Sequence, residues 1–430
     1  MDLCVVGLGK IGLPVAIQAA SRGARVRGAD ISGVVVDQVN AGREPFPGES
    51  ELAHRLKEVI QNGRLTATTD TTLAVSASSA VIVIVPLLVD AQSRPDFGQL
   101  DQATGAIGAG LQPGTIVSFE TTMPVFTTTK RLAPALAAAS GLRLGEDFYV
   151  AYSPERVYCG RVFTDLRRYP KLVGGTDVES TRRGVDLYEE ILQFDERDDL
   201  PKPNGVWAMA STEAAEFTKL AETTYRNVNI GLANEFARFA EGHGIDLYEV
   251  IEGSNSQPFS AIHRPGIAVG GHCIPVYPKF YLSNDPTAVL PAASIKVNEG
   301  MPVHAVDSIQ RCLGDLSGLR VVVLGATYRG GVKEISFSGV GPLVAELAFR
   351  GATALVHDPM YDLTELGSLG YEAYELGEPC DVAVLQSDHD EYRSLSATDL
   401  PGVRLVYDGR GGLSADQWSE TIFLQLGSGT

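Results

Sequence analysis

The sequence contains few cysteines and no long apolar run. Its five cysteines are widely spaced over 430 residues and form no CxxC pair, so neither a disulfide framework nor a metal site is predicted. No segment reaches the roughly 18 apolar residues that span a bilayer. The first ten residues also lack the basic leader of a signal peptide. We therefore expect a cytoplasmic protein without a membrane partner.

Basic residues are also scarce. Lys and Arg total 35 against 53 Asp and Glu, which gives a net charge of −18. A general nucleic-acid binder needs a basic face to neutralise phosphates, so this function is not expected. A small phosphorylated ligand in a local basic pocket remains compatible with this charge.

Alternating strand and helix patterns fill both ends of the chain. Apolar residues make up 44% of the sequence, and at roughly 150 residues per domain the length predicts two to three domains. Residues 211–241 contain no proline and one glycine, which predicts one long helix. We predict an α/β fold with two Rossmann-like, doubly wound parallel-sheet domains joined by a long central helix. The expected boundaries are 1–200, 201–313 and 314–430.

A strand, a glycine-rich turn and a helix open the chain. The turn is Gly7-Leu8-Gly9-Lys10-Ile11-Gly12, whose glycines permit a tight turn, backbone approach to a pyrophosphate and close helix–strand packing. Asp30 follows the second strand, where a carboxylate can hold both ribose hydroxyls and would repel a 2′-phosphate. This pattern predicts an NAD site and favours NAD over NADP; the alternative is a plain tight turn.

Further candidates for the cofactor site lie where other predicted strands end. In a doubly wound sheet, ligands bind beyond the carboxyl ends of the strands. Pro86, Thr121 and Glu155 occupy such positions. For Pro86 and Thr121, ordinary loop chemistry explains the residues equally well.

A glycine- and proline-rich segment, residues 265–281, is predicted to be a shaped loop. Cys273 lies in its middle and is a candidate nucleophile. The alternative is a small buried apolar residue, which is common for a free cysteine. On the long helix, Lys219 and Thr223 are four residues apart and share a face. A single helical lysine is otherwise a solvated charge.

These segments together resemble the UDP-glucose/GDP-mannose dehydrogenase family, closest to the bacterial branch acting on UDP-N-acetylhexosamines. The resemblance covers essentially the whole chain. Its motifs are GLGKIGLP at 7–14, YSPERV at 152–157, PKLVGG at 170–175, AEFTKLAETTYRNVNI at 215–230 and VGGHCIPVYP at 269–278, followed by LGATYRGGVKE, SDHDEY and DGRG.

The resemblance implies an activity and a set of site residues. Such enzymes oxidise the C6 alcohol of a UDP-sugar to a carboxylate with two NAD, through a cysteine thiohemiacetal and thioester. By position, Cys273 matches the nucleophile, Lys219 a lysine that stabilises oxyanions, and Glu155 a glutamate that handles protons and water. The resemblance also implies a homodimer through the central helix. The candidates for substrate binding are Arg156, Lys219, Arg264, Gly270, Lys296 and Arg329.

The sequence departs from the family pattern at the expected catalytic positions. Tyr277 replaces an aspartate expected to act as a base or to orient water, and a phenol with a pKa near 10 is a poor base at neutral pH. Thr223 replaces a substrate-binding asparagine and has fewer donors. An expected arginine is absent from Ser336-Phe337-Ser338. The expected Arg and Asn are also missing from residues 259–263.

Three functions therefore remain open. In the first, the protein makes a uronic acid, with water or Glu155 replacing the aspartate. In the second, it uses bound NAD for a two-electron or epimerase-like transient oxidation. In the third, it binds nucleotide sugars without catalysis.

Overall fold

A computed structural model describes residues 1–46, 48–90, 94–158 and 160–429. Packing separates the chain into two compact units, Met1–Glu222 with Lys279–Asn284 and Thr223–Pro278 with Asp285–Thr430. Both contain parallel sheets flanked by helices. The predicted α/β class with Rossmann-like domains is therefore confirmed, whereas the boundaries at 200 and 313 stay predictions.

The first unit is organised around a large sheet. Its strands are β1 Asp2–Val6, β2 Arg25–Ala29, β3 Leu65–Thr68, β4 Ala80–Val83, the hairpin strands β5 Leu88–Val89 and β6 Pro95–Asp96, β7 Ile116–Phe119, β8 Tyr149–Tyr152, β9 Lys171–Gly175 and β10 Val206–Ala208. The sheet order is β10-β9-β8-β7-β4-β1-β2-β3. In this sheet the six strands β3, β2, β1, β4, β7 and β8 are parallel, whereas β9 pairs antiparallel with β8. The hairpin strands β5 and β6 form a separate two-stranded sheet. The strand order reverses between β1 and β4, since β2 and β3 follow on one side of β1 and β4 and β7 on the other, which places a ligand crevice at the carboxyl ends of β1 and β4.

Helices cover this sheet and bury its apolar strands. They are α1 Gly12–Ser21, α2 Gly33–Asn40, α3 Leu52–Gln61, α4 Thr71–Ser76, α5 Gly98–Gly110, α6 Ala133–Ser140 after a π-helical turn Thr128–Leu132, α7 Val162–Arg168 and α8 Val178–Ile191. Ser32, Asp70 and Asp177 cap α2, α4 and α8 through their side chains. These caps satisfy amides that the first helical turn leaves unpaired.

Two helices contain residues of both units. They are α9 Thr212–Glu241 and α11 Tyr277–Asn284. Helix α9 agrees with the predicted helix over 211–241. Helix α11 corrects the predicted loop over 265–281, because the irregular segment ends at Tyr277. Pro278 is compatible with this helix because the first turn needs no amide hydrogen from it.

The second unit has its own sheet and helices. Its strands are β11 Arg320–Leu324, β12 Thr353–His357, β13 Val382–Leu385, β14 Leu405–Asp408 and β15 Ile422–Gln425, and its remaining helices are α10 Leu247–Asn255, α12 Val289–Glu299, α13 Met301–Leu313, α14 Val340–Phe349 and α15 Leu363–Ser368. All five strands are parallel, in the order β12-β11-β13-β14-β15.

Both faces of this second sheet are buried. Val321 and Val323 of β11 belong to one apolar cluster, and Val322 and Leu324 belong to another. Alternate residues of a strand point to opposite faces, so helices on both sides explain the continuous apolar run of β11. Throughout the described ranges, no helix is long and apolar enough to cross a membrane.

Candidate active site

The glycine turn after β1 requires glycine at two positions for steric reasons. Gly7 has a φ of 92°, and a Cβ added to it would lie 2.5 Å from the Ile84 carbonyl oxygen. A Cβ on Gly12 would lie 1.8 Å from the Gly7 carbonyl oxygen. The turn and the start of α1 are therefore packed too closely for any other side chain.

Gly9 differs from its two neighbours because it faces open space. A Cβ on Gly9 would meet no heavy atom within 4 Å. Helix α1 begins beside it without a side-chain cap, so its amides and positive dipole end suit an anion. Gly9 is thus compatible with a backbone that approaches a diphosphate, which is the role the sequence predicted for it.

Asp30 connects the turn with the next strand. One of its carboxylate oxygens accepts a hydrogen bond from the Leu8 amide at 2.8 Å, and the other accepts from the Ser32 amide at 2.9 Å. The side chain is half-buried. These contacts hold the carboxylate at the carboxyl edge of β2, where it suits the ribose hydroxyls of NAD.

The other candidates for the cofactor site in this unit occupy the same edge of the sheet. Pro86 is exposed after β4, and Lys10 is exposed in the glycine turn next to half-buried Ile11. Thr121 is buried after β7, and its hydroxyl donates to the Val85 carbonyl oxygen at 2.6 Å. This bond connects the loops after two adjacent strands, so Thr121 shapes the crevice floor.

Glu155 belongs to a buried cluster of charges. Lys171, the first residue of β9, places its ammonium 2.7 Å from a Glu155 carboxylate oxygen and 3.1 Å from a Glu120 oxygen. Tyr188 donates its hydroxyl to the other Glu120 oxygen at 2.6 Å. The sequence analysis did not single out Lys171. The signal that could have identified it is a charged residue at the start of an otherwise apolar strand.

The charges in this cluster perturb one another. Burial, together with the charge of Glu155, raises the pKa of Glu120 to about 7 despite Lys171. Burial acts in the same direction on Glu155, but the Lys171 ammonium outweighs it and lowers the pKa of that carboxyl. Burial disfavours the Lys171 ammonium, yet the two carboxylates raise its pKa above the ordinary value. Perturbed buried groups beside a ligand crevice are typical of functional sites.

Arg156, a predicted substrate residue, contributes to the same region. Its backbone amide donates to Glu155 at 2.7 Å, and its guanidinium donates to the Pro170 carbonyl oxygen at 2.6 Å. These bonds connect the segment after β8 to the start of β9. Arg156 thus holds the Glu155 backbone in place, while its substrate role stays a prediction.

In the second unit, Cys273 lies in a tight turn that leads into α11. The Tyr277 amide donates to the Cys273 carbonyl oxygen at 2.9 Å. Cys273 is half-buried, and Gly271 before it has a φ of 83°. Glycine is needed at Gly270 as well, because its added Cβ would lie 2.6 Å from the Tyr328 side chain. The backbone that leads to Cys273 is therefore fixed by two glycines before it and by the hydrogen bond from Tyr277 after it.

Asparagines of α9 hold this turn and the segment before it. Asn227 donates to the Ile274 carbonyl oxygen at 3.1 Å, directly after Cys273. Asn229 pairs with Ala261 and His263, and Asn234 accepts from the Gly266 amide. The polar residues Ser294 and Asn298 of α12 fix Asn227 and Asn234 in turn. The sequence analysis did not predict this network, because no local motif indicates it.

The remaining predicted site residues have the following positions. Lys219 and Thr223 are buried on α9, in the first and the second unit respectively. Arg264 and Lys296 are exposed, and Arg329 is half-buried. The guanidinium of Arg264 lies 5.8 Å from the centre of the Tyr248 ring, and that of Arg329 lies 5.8 Å from the centre of the Tyr328 ring. Their roles toward a substrate stay predictions.

The crevice of the first unit defines a Rossmann-type oxidoreductase that uses a nicotinamide dinucleotide. The glycine turn, the uncapped start of α1 and Asp30 supply the parts that such a cofactor requires. The chain belongs to the UDP-glucose/GDP-mannose dehydrogenase family. The family's NAD binding domain matches residues 1–192, its central domain residues 213–299 and its UDP binding domain residues 322–415. The protein is thus an NAD-dependent oxidoreductase of nucleotide sugars.

Individual relatives support this assignment over the full length. UDP-N-acetyl-D-mannosamine dehydrogenase of Pyrococcus horikoshii is 34% identical over 421 residues, which cover 95% of each chain. A solved structure of UDP-D-ManNAc dehydrogenase from the same organism has a TM-score of 0.88 at 32% identity and covers 100% of both chains. A UDP-glucose dehydrogenase structure from Pyrobaculum islandicum has a TM-score of 0.86 at 26% identity, covering 98% of this chain and 96% of the other.

Proposed function

We propose that this protein oxidises the C6 alcohol of a UDP-N-acetylhexosamine to a uronic acid, with Cys273 as the covalent nucleophile. The observation that carries the proposal is the half-buried Cys273 thiol on a turn whose preceding backbone requires two glycines, in a chain with an intact dinucleotide crevice. Because relatives named for UDP-N-acetyl-D-mannosamine align over the full length, this sugar is the first substrate to test.

The proposed chemistry divides one oxidation into two. Two NAD, bound in turn, would supply the oxidising power by each accepting a hydride, the first as the C6 alcohol becomes the aldehyde and the second as the Cys273 thiohemiacetal becomes the thioester. The Cys273 thiolate adds to the C6 aldehyde carbon, which keeps the reacting carbon on the protein until it reaches the thioester level. Water then cleaves the thioester, releasing the carboxylate and restoring the thiol. Lys219 stabilises the oxyanion, and Glu155 takes the proton from the attacking water.

A second candidate is supported by Tyr277. It occupies the first position of α11, four residues after Cys273, and its amide is bonded to the Cys273 carbonyl oxygen. A phenol there is a poor base at neutral pH, which disfavours steps that require deprotonation. This observation favours a two-electron oxidation or a transient oxidation followed by reduction.

The number of NADH formed per sugar separates these functions. We expect two NADH for each UDP-N-acetyl-D-mannosamine consumed, with a uronic acid as the product in mass spectrometry. One NADH, or a changed sugar with no net NADH, would establish the second candidate. Thermal stabilisation by both ligands without turnover would instead indicate a non-catalytic nucleotide-sugar binder. UDP-glucose and UDP-N-acetylglucosamine serve as comparison substrates.

We also propose that the protein acts as a cytoplasmic homodimer formed through α9. Large apolar side chains remain exposed along one face of this helix in the second unit, at positions i, i+7, i+11 and i+14. These are Tyr225, Leu232, Phe236 and Phe239. A contiguous apolar stripe of this kind is typical of a protein–protein contact. The four cysteines that the structure describes are all free thiols. Free thiols suit the reducing environment of the proposed cytoplasmic location.

Placing a charge on this stripe tests the dimer. Phe236→Asp should convert the dimer to a monomer in sedimentation velocity, because an unpaired carboxylate would be buried at the contact. Phe349→Asp is the matched control, since Phe349 is an exposed aromatic residue at the end of α14, away from α9 in sequence. A Phe236→Asp protein that remains dimeric would contradict the proposal.

A further inference from the structure

The buried charge cluster contains one more carboxylate than a simple ion pair needs. The Lys171 ammonium contacts both Glu155 and Glu120, and the side chains of Lys171 and Glu120 are 5% and 0% exposed. Burying a charged group is costly unless it is paired, so an unneeded carboxylate in this position would be disfavoured. The surplus therefore calls for a functional explanation.

Both carboxylate oxygens of Glu120 contact a neighbouring side chain. One of its oxygens faces Lys171, and the other accepts the Tyr188 hydroxyl, which is itself 2.8 Å from the Ser118 hydroxyl. The Lys171 ammonium also lies 4.8 Å from the centre of the Tyr188 ring. The charged and titratable groups that face Glu120 are thus Lys171, Glu155 and Tyr188, from β9, the segment after β8, and α8.

Glu155 is the member of the cluster that reaches the crevice edge. Its side chain is 12% exposed, and its two oxygens contact Lys171 and the Arg156 amide. A carboxylate that pairs alone with a buried lysine is a weak base, because protonating it would leave a buried ammonium without a partner. Glu120 removes this difficulty, since Lys171 keeps an anionic partner when Glu155 binds a proton.

We infer that Glu120 and Lys171 are positioning residues that set the proton affinity of Glu155, because Lys171 keeps one anionic partner while the other carboxylate holds a proton. This inference rests on the proposed function, in which Glu155 takes a proton from water. Two coupled carboxylates that share one ammonium titrate as a pair. The pKa of Glu120 is raised to about 7 and that of Glu155 is lowered, so the first proton of this pair resides on Glu120.

Glu120→Gln tests the inference because it keeps the shape and removes the charge. Without Glu120, protonation of Glu155 leaves Lys171 unpaired, so the pKa of Glu155 should fall. The acidic limb of kcat for NADH formation should then move to lower pH by about one unit or more, a tenfold change in proton affinity. Glu120→Asp should restore most of the wild-type profile. KM for NAD should stay within about twofold.

A readout that needs no turnover separates this inference from the proposed function. In ¹³C NMR of labelled glutamate carboxyls, wild type should show a near-neutral titration step that disappears in Glu120→Gln and in Glu155→Gln. Tyr188→Phe removes a hydrogen bond from the Glu120 anion, so it should move this near-neutral step to higher pH, and it is available if Glu120→Gln folds poorly. Glu189→Gln, at an exposed glutamate of α8, is the control that should leave this titration step unchanged.

The outcomes are distinct. An unchanged acidic limb and an unchanged carboxyl titration in Glu120→Gln, with lower thermal stability alone, would reduce the cluster to a structural role and overturn the inference. Wild-type protein that forms no NADH with any UDP-sugar would contradict the proposed function. The carboxyl titration would still decide whether Glu120 and Glu155 share a proton through Lys171.

Discussion

Cys273→Ala is expected to lower the rate of uronic acid formation by about 10³-fold or more, as loss of a catalytic nucleophile generally does. The thiol is the group that would hold the C6 carbon between the two oxidation levels. Its removal leaves the backbone turn intact, because the contacts of this turn run through the Cys273 carbonyl and the Asn227–Ile274 bond. Steady-state NADH formation with UDP-N-acetyl-D-mannosamine measures the effect.

The comparison variant is Cys312→Ala, which removes an exposed free thiol from α13 in the same unit. It should retain the wild-type rate and melting temperature. Binding of UDP to Cys273→Ala, measured by calorimetry, should also match the wild type. Full activity in Cys273→Ala would exclude thioester chemistry and leave only functions that use NAD without a covalent intermediate.

Gly9→Val should abolish NAD binding while leaving the fold intact. A Cβ at Gly9 meets nothing within 4 Å, so the protein itself tolerates a side chain there. The diphosphate does not, because it requires close approach of the backbone at this position. We expect NAD affinity to fall by about 100-fold or more, roughly 3 kcal/mol, with little change in melting temperature.

Gly12→Ala should instead lower the stability of the fold itself. Its Cβ would lie 1.8 Å from the Gly7 carbonyl oxygen, which forces the turn away from α1 and costs about 3 kcal/mol or more of stability. Gly105→Ala in α5, where a Cβ also meets nothing within 4 Å, is the control and should raise stability by about 0.5–1 kcal/mol, because alanine loses less backbone entropy in a helix. If Gly9→Val bound NAD normally in calorimetry, the cofactor would lie elsewhere.

Most elements could be predicted from sequence because their signals are local. The parallel strands β4, β11 and β13 are short apolar runs. Their sequence patterns predict strands over 80–85, 320–325 and 381–385, and the structure places them within two residues of these bounds. The long helix follows from thirty residues without a proline. The start of α11 could not be predicted in this way, because proline marks a loop and the first turn of a helix equally well.

The site was only partly predictable for a related reason. Gly7, Gly9, Gly12 and Asp30 are recognisable together because the pattern places all of them within 24 residues. Lys171 and Glu120 are 51 positions apart, and nothing in either segment indicates the other. The three asparagines of α9 hold the Cys273 turn and the segment before it, and their partners likewise lie more than thirty positions away along the chain. Such pairs become visible only when strands and helices are assembled.

By itself, the sequence determined the class of the fold, the glycine turn with its acidic partner and the cysteine on which the chemistry is proposed to depend. Each follows from short-range rules of backbone conformation and strand–helix periodicity. The tertiary structure alone decided that there is space for a side chain at Gly9 and none at Gly12, and that Glu155 shares Lys171 with a second carboxylate. Steric clearance and buried electrostatic coupling depend on distances between segments remote in sequence, and folding alone sets these distances.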